Sequence, residues 1–251
     1  MTSRHHVAAL EKGLQVLQCF SRLHPRLTLS EVSRLAGCTP ASARRSLLTL
    51  QALGHVASDG KHFWTTPRCL LLANAYLASN PIPALAQPLL DGLAERTRES
   101  ASLAQLIDSD VIVVARSTAR RSLSVGLRIG SRLPVYCSSL GRVLLAGLPR
   151  DEAVARLHGM PRPRLTPHTV VDADAAVACV DSAARLGYAT TDQELEMGVR
   201  SMAVPVFTRG GALVAGLSIA VRAERFEMAA FVETFLPALQ RAQARLAAQL
   251  G

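Results

Sequence analysis

A chain of 251 residues, 49% hydrophobic but only 4% aromatic, has room for two globular domains whose cores are built from Leu, Val and Ala rather than from rings. No apolar run approaches the roughly 20 residues of a membrane-spanning helix, and "MTSRHHVAALEKGL" leads into an amphipathic helix instead of a signal peptide, so a cytoplasmic protein is expected. The net charge of +9 is concentrated early, with nine Lys/Arg against three Asp/Glu in residues 1–79, the electrostatic footprint of a nucleic-acid-binding module.

Residues 7–20 place Val7, Leu10, Leu14, Leu17 and Phe20 near a 3.6-residue period and predict a helix. The next helix, 28–37, opens with Thr28-x-x-Glu31, a capping box, and stops at Gly37. A third opens with Thr39 as N-cap and Pro40 as first helical residue, and stops at Gly54. Only the tight turn "AGCT" separates the last two. "HVASDGKHFWTT" then reads as two short strands around an Asp59-Gly60 hairpin turn. Together these elements describe a winged helix-turn-helix over residues 1–66.

Residues 67–79 predict a further helix, ended by the breakers of "NPIP", and are read as a linker over 67–80. The pattern changes over 81–251. A helix over 84–100 leads into a strand over 101–108, a turn at Ser109-Asp110 and the strand "VIVVARS". A strand candidate follows at 122–129, then helices at 138–148, 150–158 and 172–186. Strands at 202–208 and 212–222 flank the turn Arg209-Gly210-Gly211, and a long helix from Glu224 closes the chain. Antiparallel hairpins flanked by helices make an α+β domain.

In the third helix Ala43, Leu47 and Leu50 share one face suited to packing. Ala41, Arg45 and Thr49 fall opposite, with Arg44 and Ser42 on the flanks. A recognition helix places its N-terminal residues near base edges in the major groove, where an arginine bridges guanine O6 and N7 or clamps a phosphate. Thr39, Ser42, Arg44, Arg45 and Thr49 are therefore the expected DNA-binding residues, joined by Lys61 and His62 of the hairpin, which reach phosphate or minor groove. Spacing alone leaves open which arginine reads a base.

A second site is expected at Cys137–Arg142. Ser138 as N-cap leaves amides at a helix N-terminus, where backbone N–H groups and the helix dipole favour a carboxylate. Leu127, Leu133 and Tyr136 are candidate apolar walls, and Arg128 a second charge. A rival reading takes Cys137, at the same helix start, as a thiolate redox sensor. The chain has no GxSxG, Walker A, HExxH or dinucleotide motif, so neither an enzyme nor a cofactor is expected. Its five cysteines, widely spaced with no CxxC pair, give no signal of a disulfide framework or zinc site.

The chain resembles the IclR family of bacterial transcription regulators. The resemblance rests on "LEKGLQVLQCF", "TLSEVSRLAG" and "ASARRSLLTLQALGHV", and more distinctively on "SRLPVYCSSLGRVLLAGLP" and "GYATTDQELEMGVRSMAVPVF". The double arginine and "DQELEMGVRS" are most similar to the branch regulating protocatechuate, 4-hydroxybenzoate and β-ketoadipate catabolism. The resemblance implies an α+β chain: a winged helix-turn-helix, a linker helix and a GAF-like effector domain. It also implies a homodimer or dimer of dimers on operator DNA, a small organic acid effector, and contact with RNA polymerase in this branch. By position it implies effector contacts at Ser139, Leu140, Thr191, Asp192, Ser201 and Ser218. Members binding small acids have Gly-Ala at Ser139-Leu140, Cys at Ser201 and Ser at Ala220, departures that point here to an aromatic or dicarboxylic acid.

Overall fold

The structure is a computed structural model that describes residues 5–119 and 127–250. The chain divides between Ser79 and Asn80 into two compact units.

The N-terminal unit is built from α1 (Ala8–Gln18), α2 (Leu29–Leu35) and α3 (Pro40–Ala52), with strands β1 (Leu27–Thr28), β2 (Val56–Ser58) and β3 (His62–Thr65). Local chemistry fixes the ends of its helices. Thr28 and Glu31 form the expected capping box, each side chain bonded to the other's backbone N–H. The Thr39 hydroxyl accepts from Ser42 N, and Pro40 occupies the first helical position. The hairpin turns at Gly60, whose φ of 95° suits glycine. Val16, Leu27, Val32, Ala43, Leu47, Leu50 and Val56 form the core.

Two features differ from expectation. β1 is a third strand of the wing, pairing Leu27 with Phe63 and Thr28 with His62; at two residues it is too short to leave a periodicity. The apolar stripe of α1 is mostly uncovered, with Leu10 and the N-cap Val7 both 62% exposed, because the small core takes only Val16 and part of Leu17 from that helix. A 3-10 turn (Pro67–Cys69) and α4 (Leu70–Ser79) end this unit. Every residue of α4 is exposed.

Among the described residues the C-terminal unit holds a six-stranded antiparallel sheet in the order β6-β5-β4-β9-β8-β7. Its strands are β4 (Ser100–Ile107), β5 (Asp110–Ser117), β6 (Arg132–Pro134), β7 (Ala189–Asp192), β8 (Val199–Phe207) and β9 (Leu213–Arg222). Helices α5 (Pro81–Thr97) and α9 (Met228–Gln249) share one apolar core with Leu103, Met202 and Leu217. Helices α6 (Ser139–Ala146), α7 (Arg150–Gly159) and α8 (Ala173–Leu186) share the other with Val111, Val113 and Ala203. Alternation along each strand, with both faces covered, builds the two cores.

Here too the sequence misled in places. "NPIP" ends α4 at Ser79, as expected, but it also begins the next helix. The Asn80 side chain accepts from Ile82 N and Pro81 takes the first position of α5, where a missing N–H costs nothing. The short edge strands β6 and β7 were not anticipated. The closing helix begins at Met228, after a 3-10 turn at Ala223–Arg225. The strand candidate at 122–129 falls largely outside the described residues.

Candidate functional site

In the N-terminal unit, burial of Ala43, Leu47 and Leu50 turns the opposite side of α3 to solvent. Thr39, Ala41, Arg44, Arg45 and Thr49 are all exposed, and neither Arg44 nor Arg45 has an ion pair among the described residues. Thr49 Oγ1 donates to the Arg45 carbonyl at 2.9 Å. Ser42, expected on the flank of this face, is instead 7% exposed. It lies on the i, i+4, i+8 ridge with Ser46 and Leu50 and so turns toward the core.

On the wing, the Asp59 carboxylate accepts from the backbone N–H of Lys61 at 3.0 Å and of His62 at 2.7 Å. These bonds hold its pKa down and fix the turn that leaves Lys61 exposed. The His62 ring faces Asp59 at 3.6 Å, so it is less available than Lys61. Arg26 stacks over Trp64 at 4.2 Å and approaches Asp59 at 3.6 Å. This wing cation is one that the sequence reading missed, since nothing links positions 26 and 64 before β1 is seen to pair with β3.

In the C-terminal unit, a Cβ at Gly216 would lie 3.0 Å from Leu140 Cδ2 and 3.3 Å from Val143 Cγ2, so this side of β9 faces α6. By alternation Ser218 and Ala220 face the same way. The register carries that face across the sheet, with Ser218 opposite Ser102 and Ala203, Ser102 opposite Arg116, and Ala220 opposite Ser100 and Ser201. Ser201 lies opposite Thr191.

Three of the expected effector residues meet here. Ser139 Oγ lies 2.9 Å from Ser201 Oγ, which lies 2.7 Å from Thr191 Oγ1. Ser218 lies on the same face, buried. At the start of α6, the Ser138 hydroxyl accepts from Gly141 N and donates to the Pro134 carbonyl. Capping thus takes the Gly141 amide and leaves those of Ser139 and Leu140 at the head of the helix. Leu140 packs in one apolar cluster with Leu127, Leu133 and Tyr136, but the Tyr136 hydroxyl is already bonded to the Pro163 carbonyl at 2.6 Å.

Other candidates fall elsewhere. Asp192 follows Thr191 in β7 and so points to the opposite side of the sheet. There Arg200 holds it with two bonds, of 2.8 Å and 3.2 Å, which lower its pKa. Arg128 is an exposed turn residue whose N–H bonds Ser131 Oγ. Cys137 is fully buried and its thiol is pushed up to about 11, chiefly by burial; desolvation overrides the helix dipole that suggested a reactive thiolate.

The face also holds a cation that the sequence did not single out. Arg116 Nη1 donates to Ser102 Oγ at 2.6 Å. Its one signal was a cation inside the otherwise apolar strand "VIVVARS". Arg142 and Glu194 form a buried pair at 2.7 Å, with side chains 5% and 8% exposed. Arg142 also donates to the Thr190 carbonyl at 2.8 Å. The two lie 52 positions apart, and only the fold brings them together.

A winged helix with a cationic outward helix, followed by an α+β domain with a polar face under a helix N-terminus, defines a DNA-binding transcription regulator with a small-molecule sensor. Residues 9–60 match the IclR helix-turn-helix domain and residues 74–248 the bacterial transcriptional regulator IclR C-terminal domain. The chain belongs to the IclR family, whose members are regulators and not enzymes.

It is 36% identical over 245 residues to the Pca regulon regulatory protein of Pseudomonas putida, covering 97% of this chain and 84% of that one. It is 32% identical over 240 residues to the p-hydroxybenzoate hydroxylase transcriptional activator of Acinetobacter baylyi, covering 94% and 89%. A crystal structure of an IclR homolog from Microbacterium hydrocarbonoxydans complexed with 4-hydroxybenzoate superposes with a TM-score of 0.76 at 26% identity, covering 96% and 98%.

Proposed function

We propose that this regulator controls aromatic-acid catabolism genes, reading its operator with α3 and the wing and sensing an aromatic or dicarboxylic acid on the α6 face of the sheet. The observation that carries the DNA half is the outward face of α3, where Arg44, Arg45 and Thr49 stand exposed with no acidic partner described for either arginine. Thr39 at the helix start and Lys61 on the wing are set to hold phosphate, with His62 beside them. The Pca regulon and p-hydroxybenzoate hydroxylase regulators, and the 4-hydroxybenzoate complex, support the aromatic reading. Effector contacts are assigned to Ser139, Leu140, Thr191, Ser201 and Ser218.

Leu70, Leu71 and Leu72 of α4 are 68%, 63% and 53% exposed, and Val7, Leu10 and Leu14 of α1 are open as well. Apolar surface of that kind is ordinarily covered by a partner. A second copy of this chain is the proposed occupant, giving a homodimer whose two recognition helices meet two half-sites. In this reading α4 is the linker helix, the protein works in the cytoplasm, and RNA polymerase is a partner at the promoter.

The test is Arg45→Ala, measured by fluorescence anisotropy on a duplex selected from random sequence with the wild-type protein. Loss of a bidentate base contact removes about 1–3 kcal/mol, so affinity falls roughly 5- to 150-fold while the melting temperature stays put. A variant with wild-type affinity would mean that α3 is not the reading helix.

A further inference from the structure

We infer that Arg26 is a DNA contact of the wing, clamping a phosphate of the operator backbone, and that Trp64 is the residue that positions it. This goes beyond the contacts assigned to α3, Lys61 and His62, and it rests on the proposed reading of the wing as lying on DNA.

Sequence and register together bring Arg26 to the wing. Between Phe20 and Glu31 the segment carries Arg22, His24 and Arg26 and no acid. Its turn is closed by reciprocal backbone bonds between Ser21 and His24, of 3.2 Å and 3.1 Å, and Pro25 restricts the backbone just before Arg26. β1 then pairs with β3, Leu27 opposite Phe63 and Thr28 opposite His62. One step further the antiparallel register sets Arg26 against Trp64. Leu27 is buried and Phe63 packs on the same core, so by alternation Arg26 and Trp64 share the outer face of the wing.

There Arg26 Cζ stands 4.2 Å from the centre of the Trp64 ring. A guanidinium over a ring is gripped through its flat face, which leaves the N–H edge free to donate. Among the described residues its ion-pair partner is Asp59 at 3.6 Å, beyond hydrogen-bond reach. The Asp59 carboxylate is itself engaged by the backbone N–H groups of Lys61 and His62. So long a pair between side chains 59% and 42% exposed holds little. A phosphate that takes two parallel bonds from the guanidinium therefore displaces it at small cost. The same turn leaves Lys61 exposed, which gathers two cations at one end of the wing. Contacts of this kind fix a protein's position on the duplex and carry no sequence information.

The experiment follows binding of the full chain by fluorescence anisotropy to two duplexes of equal length, one selected with wild type and one of scrambled sequence. Salt is varied from about 50 to 200 mM, where each phosphate contact adds about 0.9 to the slope of log affinity against log salt. Arg26→Met flattens that slope by about 0.9 for each bound protomer and weakens binding about eightfold at about 0.1 M salt, equally on both duplexes. Arg26→Gln serves in its place if the methionine variant does not fold. Trp64→Leu keeps the charge and hence the slope, yet loses affinity about two- to fivefold, and this loss disappears when Arg26 is already Met.

If Arg26→Met keeps the wild-type slope while Lys61→Met flattens it, the wing lies on DNA and the role of Arg26 is overturned. A loss confined to the selected duplex, with the slope unchanged, overturns it too, because Arg26 would then shape the wing and not hold a phosphate. A Trp64→Leu loss that persists without Arg26 overturns the positioning role of Trp64. If Lys61→Met is silent as well as Arg26→Met, the wing stands off the DNA, and its proposed reading falls together with this inference.

Discussion

Glu194→Leu leaves a buried guanidinium without its counter-ion. In the native chain Arg142 gives one nitrogen to Glu194 at 2.7 Å and another to the Thr190 carbonyl at 2.8 Å, while its Nε is buried with no hydrogen-bond partner among the described residues. Removing the carboxylate leaves one neutral acceptor for a full charge, and breaking such a pair from one side costs about 3–5 kcal/mol. At about 2–4 °C per kcal/mol for a unit this size, the melting transition of residues 80–251 falls by about 6–20 °C. Arg142→Leu combined with Glu194→Leu removes both desolvation penalties at the cost of the bonds to the Thr190 carbonyl and the Val170 N–H, so the double variant lies above the sum of the single losses.

Differential scanning calorimetry of the full chain reads this transition, and the chain supplies its own control. Its single tryptophan is Trp64, in the other unit, so tryptophan emission reports the unfolding of residues 1–79 separately. A loss below about 1 kcal/mol for Glu194→Leu, or strict additivity in the double variant, would refute the reasoning.

Other expectations follow from single features. Gly141→Ala places a methyl 2.2 Å from Val135 O and 2.3 Å from Val135 Cα; because backbone must yield, the variant loses at least about 1–3 kcal/mol, and a wild-type melting temperature would deny the close approach. Cys137, with its thiol near 11 and no exposed surface, stays unlabelled by iodoacetamide at pH 8 while Cys19 and Cys179, half-exposed, react. Equal labelling rates by mass spectrometry would return Cys137 to consideration as a sensor. The lowered pKa of Asp192, caused first by the bonds from Arg200, contributes stability that is complete above the unfolded-state value of about 3.9. That contribution is lost as pH falls through the lower folded value. Asp192→Asn therefore flattens the pH dependence of stability below about pH 4, modestly, since the side chain is 42% exposed; an unchanged profile would count against the ion pair.

The N-terminal unit was largely written in local chemistry. Thr28 with Glu31, Thr39 with Pro40, and Asp59 with Gly60 each act within a few residues, so their effect survives translation into a bare string of letters. The α6 face was legible only in part. Ser139, Thr191 and Ser201 were reached through family resemblance, and their meeting depends on strand pairing between positions far apart. The same pairing moved Asp192 off the site by one residue of strand alternation and brought Arg116 onto it by the register of β4 against β5. Ser42 was missed for a related reason, since a residue on the edge of a helix face is placed by what packs beside it. Asn80-Pro81 shows that breakers are ambiguous, because the chemistry that ends one helix begins the next.

Among the described residues the outermost strands of the sheet are β6 and β7, of three and four residues. Arg132 and Pro134 sit on the first, a charge and a residue with no N–H to donate, and Thr190, Thr191 and Asp192 make up most of the second. Each rim therefore offers an incoming strand only a brief and partly defective ladder. The longer strands β4, β8 and β9 each have a neighbour on both sides, β8 over Arg200–Ala203 on its β7 side. Two copies of this chain meeting in solution can therefore touch through their side-chain surfaces without these rims fusing edge to edge.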